Sequence, residues 1–422
     1  MVVGQTSPVN GSMTVTRSLD DSRAGVTAAG EAARSYALLA FAVSLVILVL
    51  RYPTSLFTAE PLWEDGPVFY LGGFDGLATL ARPWQGYLHV AARMVALVAA
   101  AIPPALAPLL MNMVTILATA GVAAFIASGR LRTAVPDRRI RLALAIGFVL
   151  MPAAQDLSWH LVYLQWSLAF FLLARVVADE PGPRWVWFDR AAVAIVGLTG
   201  PFSILFAPLY LWRRRQLGVT TWIVVACGAI QLVFLVTARR AAHGDTSLPE
   251  AIAILATRVF VEPLIGYRVT WYLSEAGLPL IAGAALVGVV VTLLVLAAAA
   301  VPRTTLVVLV YAAVVIAVAG VARSADSAWS MLAGWGGGRY FMFGTFAIVA
   351  IVIAAIGAGS RRQRRAGIVL AMLLSVGVIW DFRVLAPPSQ GWAERSACIG
   401  GTDPCIVPVF PGGDWDIRWP GR

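Results

Sequence analysis

The sequence predicts an all-α integral membrane protein of about eleven transmembrane helices, and three observations predict it. Hydrophobic residues make up 59% of the 422 residues and charged residues only 13%, against about 45–50% and about 25% in soluble domains. That much apolar surface could not be hidden inside a soluble globule. Apolar runs of helical length recur from residue 35 to residue 380, and a bilayer core asks for about 20 apolar residues per helix. Finally, the basic residues cluster in short segments between those runs, as membrane topology requires. All 32 basic residues are Arg, and the net charge of +10 belongs to those segments. The charge therefore reads as topology, and a nucleic-acid partner is not expected. Disorder is excluded by the low charge content, and a disulfide-dense scaffold by only three Cys.

Each element follows in order. Residues 1–34 are polar and read as a flexible cytoplasmic tail. The membrane domain runs over 35–380. Its first span is 35–50, followed by a first external loop, 51–104. Within that loop, 87–101 is apolar but is followed by Pro103-Pro104, a longer apolar run at 105–127 and the basic segment 129–141. Arg-rich short loops stay in the cytoplasm. That side is reached only if 87–101 lies along the outer interface and 105–127 alone crosses. The remaining spans alternate: 142–154, 159–177, 188–200, 202–212, 221–237, 280–301, 305–321, 341–356 and 367–380. Arg213–Arg215 and Arg361–Arg365 mark inner turns. The N-terminus is then inside and the C-terminus outside. The segment 249–265 has apolar residues at helical spacing and reads as an amphipathic interfacial helix. The tail 381–422 is small and external, where Cys398 and Cys405 can pair in an oxidising compartment. Cys227 falls within a span and reads as packing.

The unusual chemistry falls on the outer side. Trp63-Glu64-Asp65-Gly66-Pro67 places two carboxylates between an aromatic residue and a turn. A carboxylate near the membrane can act as a general base, and the alternative is a solvated acidic turn. Asp156, His160 and Gln165 lie at the outer end of the next helical hairpin, where ionisable groups usually line a cavity. An interfacial, hydrogen-bonded His160 is the alternative. The turn 198–202 contains Gly200-Pro201 and reads as a tight connection. Gly336-Gly337-Gly338 precede Arg339 and Tyr340 at a helix start. There, the helix dipole and a guanidinium could together bind phosphate, or Arg339 could reach lipid headgroups. Arg258 and Arg268 also lie outside. With three His and no HExxH spacing, no metal is expected.

The segments LWEDGPVFY, RPWQGYLHVAAR, PAAQDLSWHLVYLQW, GLTGPFSILFAPLYL, GGGRYF and CIGGTDPCIVPVFPGGDWDIRWP, in this order and on one side, resemble polytopic glycosyltransferases of the C superfamily. The likeness is greatest to uncharacterised bacterial members that use polyprenyl-phosphate sugars. That resemblance implies an enzyme of the bacterial cytoplasmic membrane with its active site facing outside. It would move a sugar from a polyprenyl-phosphate donor to a lipid or glycan acceptor, inverting the anomeric centre. It further implies an acidic catalytic residue in the first external loop, which points to Asp65 with Glu64 beside it. External cations, Arg339, Arg258 and Arg268, would hold the donor phosphate. Trp63, Asp156, His160, Gln165 and Tyr340 would line the substrate cavity. The pair here is Glu-Asp, not the Asp-x-Asp of some members, so a divalent metal is unsupported. The large soluble domain of some relatives is absent. A flippase of lipid-linked saccharides would use the same cations without a base. A surface-polysaccharide polymerase would use a longer donor. A membrane scaffold would leave the clustering of polar residues unexplained.

Overall fold

The structure is a computed structural model and describes residues 35–152, 160–238, 246–275, 280–323 and 337–421. It is mostly helical (74%), with little sheet. The main helices are α1 Ser35–Arg51, α2 Val90–Ala100, α3 Ala107–Ala127, α4 Arg138–Leu150, α5 Leu164–Val177, α6 Val186–Gly197 and α7 Phe202–Trp212. They continue with α8 Val219–Thr237, α9 Leu248–Ala256, α10 Tyr267–Glu275, α11 Leu280–Ala298, α12 Arg303–Arg323, α13 Gly338–Ala358 and α14 Arg361–Asp381. Five helical stretches, beginning at Pro104, Val219, Arg303, Gly338 and Arg361, are long and apolar enough to cross a membrane. That is what an integral membrane protein requires.

The described parts of the expected spans at 142–154, 159–177, 188–200 and 202–212 are mainly helical but short. α4, α5, α6 and α7 have 13, 14, 12 and 11 residues. At 1.5 Å per residue they reach about 17–21 Å, less than the bilayer core of about 30 Å. α6 and α7 are stopped by the turn at Gly200-Pro201, where Gly200 takes φ +83°. α4 ends at Met151, whose ψ of 139° leaves the helical region.

α13 is the central helix. In its most apolar stretch 72% of residues are buried inside the protein, against 28% in α14. It carries an all-round apolar sequence, as a buried helix should. Phe343 of α13 stacks on Phe170 of α5 at 4.0 Å, and Phe148, Phe202, Phe206 and Phe346 close round the pair. Small residues allow close approach: a Cβ on Gly147 would meet Val349 at 2.7 Å, and one on Gly357 would meet Ile140 at 2.8 Å.

The Arg-rich turns gather at one end of this bundle. Arg130 donates to the Asp179 carbonyl at 2.7 Å and Arg213 to the Val176 carbonyl at 2.7 Å, both just beyond or within the C-terminal end of α5. Ile140 meets Gly357 near Arg361–Arg365, the first residues of α14. Arg175, fully buried, pairs here with Asp189 at 2.9 Å and Glu180 at 2.7 Å, while Arg130 reaches Asp189 at 3.0 Å. A buried cation held by two carboxylates is well compensated. The N-terminal end of α5 lies at the opposite end of the bundle, and that end carries the candidate site.

Between α1 and α2 the chain makes short helical turns at Thr54–Phe57, Trp63–Asp65, Gly66–Tyr70, Leu71–Gly73 and Gly76–Ala81. Residues 87–90 dock on the turn 198–202. The Val90 amide donates to the Leu198 carbonyl at 3.2 Å, Gly200 to the Leu88 carbonyl at 2.8 Å, and Ala91 to the Thr199 hydroxyl at 2.9 Å. The turn 198–202 is thus an anchor for the first inter-helix segment and not merely a connection. The segment 249–265 is one helical run, with a wide turn at Thr257–Val261 joining α9 to a last turn, Glu262–Ile265. Gly266 ends it, and α10, which the periodicity missed, follows.

The tail 382–421 folds onto the first inter-helix segment. It holds a two-stranded antiparallel sheet, β1 Cys405–Val407 and β2 Ile417–Trp419, with Ile406 opposite Arg418. A disulfide joins Cys398 to Cys405. Trp392, Val407, Val409, Ile417 and Trp419 are buried with Phe69, Tyr70, Ala92 and Ala96 in one apolar cluster. Glu60 ties down the start of the tail, accepting from the Ser389 hydroxyl and the Gln390 amide at 2.6 Å and from the Gly391 amide at 3.1 Å.

Candidate functional site

Three segments far apart in sequence converge at the N-terminal end of α5. The first is Trp63-Glu64-Asp65. Trp63 takes φ +43°, which is rare for a bulky residue. Its amide donates to the Phe410 carbonyl at 2.9 Å, and its ring meets Phe410 and His160 edge-on at 5.5 and 4.9 Å. The strained turn is therefore held from two sides, by the tail and by the second segment. Strain stored in this way is common at functional sites.

The second segment is His160–Tyr163, at the start of α5. Asp65 is 2% exposed. Its two oxygens accept the backbone amides of Leu161 at 2.9 Å and Val162 at 2.8 Å. His160 Nδ1 lies 3.5 Å from Asp65 Oδ2. A buried carboxylate needs such donors, and Asp65 uses them to fasten the start of α5 to the first segment. Glu64 beside it is half-buried. Burial pushes its carboxyl above the usual range and the neighbouring Asp65 charge adds to this, while Arg339 and His160 pull the other way. Desolvation is the larger effect.

The third segment is the start of α13. Gly337 caps the helix in the left-handed conformation, which puts Arg339 in its first turn. Arg339 Nη1 donates to the Tyr163 hydroxyl at 3.2 Å, and its guanidinium lies 5.4 Å from the Tyr163 ring and 5.0 Å from the Tyr340 ring. The two rings fix the cation by cation–π contact. Tyr340 also meets Trp166 at 5.5 Å.

Most of the expected residues come together: Trp63, Glu64, Asp65, His160, Arg339 and Tyr340 form one cluster. Gln165 lies one turn further along α5, buried, and its Oε1 has no partner among the described residues. It sits under the turn 198–202, where a Cβ on Gly200 would come within 2.4 Å of that oxygen. Asp156 and the tail 1–34 lie outside the described residues.

The two other expected phosphate ligands, Arg258 and Arg268, have partners of their own. Arg258 is 2% exposed and its guanidinium is engaged by Glu262 at 2.5 Å, over the Phe341 ring. A cation already balanced by a buried carboxylate has little left for a phosphate. The i, i+4 spacing of Arg258 and Glu262 on a helix accounts for the pair. Arg268 is on α10 and donates to the Arg383 carbonyl at 3.4 Å. The pattern did contain two further participants. Tyr163, three residues after His160 in the turn before α5, meets its ring at 5.2 Å, and Phe410 lies in the quoted tail motif. Nothing in the sequence ties either to Trp63 or Arg339. Among the described residues no group of three or more His, Cys, Asp or Glu is placed to hold a metal ion.

Comparison with protein-family models, with curated proteins and with solved structures gives no match for this chain. The site has to be read from its own chemistry: a raised carboxyl, a buried carboxylate that fastens a helix start, a histidine, and one guanidinium held between two tyrosine rings.

Proposed function

We propose that this protein is a membrane glycosyltransferase that moves a sugar from a polyprenyl-phosphate donor to a lipid or glycan acceptor. One observation carries the reading. Glu64, with its raised pKa, feels Arg339 and His160 across a site built from residues 63–65, 160–163 and 339–340. A base and a cation in one partly dry site suit the displacement of a phosphate leaving group.

Glu64 is the better base of the pair. Both oxygens of Asp65 are occupied by backbone amides and the side chain is buried, so Asp65 acts as a positioning residue. The acceptor hydroxyl gives its proton to Glu64 as its oxygen bonds to the anomeric carbon. The bond from that carbon to the phosphate oxygen breaks, and the polyprenyl phosphate leaves with the electron pair. Arg339 stabilises the charge that develops on it. Attack from the opposite side inverts the anomeric centre. Trp63, Tyr163 and Tyr340 supply aromatic faces for a sugar ring.

The orientation follows from charge. The turns at 129–141, 213–215 and 361–365 share the end opposite the site, and Arg-rich short turns stay inside. The site then faces outward, with the N-terminus inside, about eleven helices passing through or into the membrane and the tail 381–422 outside. The test is a transfer assay with purified protein, radiolabelled polyprenyl-phosphate sugars and a membrane-lipid extract. Wild type should yield a labelled product and Glu64→Gln should not. Saturable binding of polyprenyl phosphate without transfer would replace this reading with a flippase of lipid-linked saccharides.

A further inference from the structure

The end of the bundle opposite the site carries a surface that the reaction above does not use. It lies at the start of α6. Trp185, Trp187 and Phe188 are 65%, 73% and 70% exposed, and the Trp185 and Phe188 rings sit 5.7 Å apart. Asp189, the next residue, is buried and pairs with Arg175 and Arg130. The turn is thus fixed on its inner side and leaves its rings uncovered. Neighbouring helix ends lie at the same level: Arg213, after α7, donates to the Val176 carbonyl at 2.7 Å, and Arg175 donates to the Thr220 hydroxyl of α8 at 3.4 Å. Trp212 and Trp222, beside those contacts, are exposed as well. Trp collects where hydrocarbon meets headgroups, because its ring is apolar and its N–H is polar. These rings therefore mark a bilayer boundary.

The charge at this boundary is positive and not spent within the chain. Arg184 is exposed and takes no hydrogen bond, ion pair or ring contact among the described residues. The Arg190 guanidinium lies 5.3 Å over the Trp187 ring, and its Nε is buried without a partner among the described residues. The nearby carboxylates are engaged: Glu180 pairs with Arg175, and Asp189 with Arg175 and Arg130. A phosphate accepts charge-assisted hydrogen bonds from a guanidinium. A zwitterionic headgroup brings its own cation and gains less. We infer that the start of α6 binds the headgroup of an anionic phospholipid, with Arg190 on the phosphate, Arg184 adding to the field, and the acyl chains against Trp185, Trp187 and Phe188. The site stands whether or not the protein transfers a sugar.

The experiment uses full-length protein in lipid nanodiscs whose phosphatidylglycerol is raised stepwise against phosphatidylcholine. Hydrogen–deuterium exchange with mass spectrometry follows peptides covering 181–190. Wild type should become protected there as phosphatidylglycerol rises, and not in phosphatidylcholine alone. Arg184→Gln and Arg190→Gln should each move the midpoint to about fivefold more phosphatidylglycerol, the share of one arginine near an anionic surface. Peptides covering 361–365 should keep their wild-type midpoint in both variants. Equal protection in the two lipids, or variants with the wild-type midpoint at 181–190, overturns the site. A midpoint that moves equally at 361–365 also overturns it, since the charge then acts as a general field. Protection by inorganic phosphate in phosphatidylcholine nanodiscs would show a free-anion site and overturn the lipid assignment. Should Arg190→Gln fail to fold, Arg184→Gln on the surface gives the same reading.

Discussion

Asp65→Asn separates a positioning carboxylate from a base. Asp65 accepts two backbone amides, at 2.9 and 2.8 Å, while 2% exposed. Asparagine offers one oxygen and one NH2 group to the same two donors. One hydrogen bond survives as a neutral bond, and the other becomes donor facing donor. A hydrogen bond to a charged group contributes about 1.5–3 kcal/mol, and a buried donor left without a partner costs about 1–3 kcal/mol. These overlap, so a loss of about 2–3 kcal/mol is expected for the start of α5. At 1.4 kcal/mol per tenfold, local opening there becomes about 30- to 140-fold more frequent. Hydrogen–deuterium exchange with mass spectrometry on peptides covering 160–166 reads this directly. Glu64→Gln should leave those peptides as protected as wild type while abolishing transfer. Unchanged protection in Asp65→Asn would refute the assignment of Asp65 as the fastener of α5. Lost protection in Glu64→Gln would refute the division of roles between the two residues.

Other outcomes follow from the same geometry. Transfer should depend on Glu64 being ionised. Because its pKa is raised by burial, the rate should fall with decreasing pH through a point above the usual carboxylate range; a limb at an ordinary carboxylate pKa would remove Glu64 as the base. Glu64→Gln should lower kcat by about 10²- to 10⁴-fold, as loss of a general base does. Arg339→Ala should weaken donor binding by about 10- to 100-fold, the value of a charge-assisted contact, and Arg339→Lys should restore only part of it because the ammonium cannot lie flat between Tyr163 and Tyr340; a donor KM unmoved by Arg339→Ala removes the phosphate role. Asp189→Asn should cost about 1–3 kcal/mol, because buried Arg175 loses one charge-assisted partner and keeps Glu180, read as a lower melting temperature in detergent with Glu60→Gln for comparison. Gly66→Ala would place a Cβ 2.9 Å from Val409 Cγ2 and 3.2 Å from Ile417 Cδ1; limited proteolysis should cut within the tail faster than in wild type, and equal cutting would show that the tail accommodates the methyl group.

The sequence by itself determined the class of molecule. An apolar fraction of 59% leaves helices in a membrane as the one economical outcome, because every backbone amide in lipid must be satisfied within its own segment. The same local signals placed α3, α8, α12, α13 and α14 and put Arg339 at a helix start, since Gly-rich capping and apolar run length act over a few residues. Glu64, Asp65, His160 and Arg339 were legible as unusual because charged residues make up only 13% of the chain and these fall beside apolar runs on one side. Tertiary structure alone decided which of them meet. Arg258 and Arg339 look alike in sequence, and only packing pairs one with Glu262 and the other with Tyr163; Glu64 and Asp65 are neighbours, and only packing gives Asp65 the amides of Leu161 and Val162. Helix length was also settled in three dimensions, where the docking of 87–90 on 198–202 lets α6 and α7 stop short. The tail held its disulfide in plain view, but its place against Trp63 depends on Phe410 and Val409 meeting residues some 350 positions away. Contacts of that range leave no mark on local composition or period, so they exist only once the chain has packed.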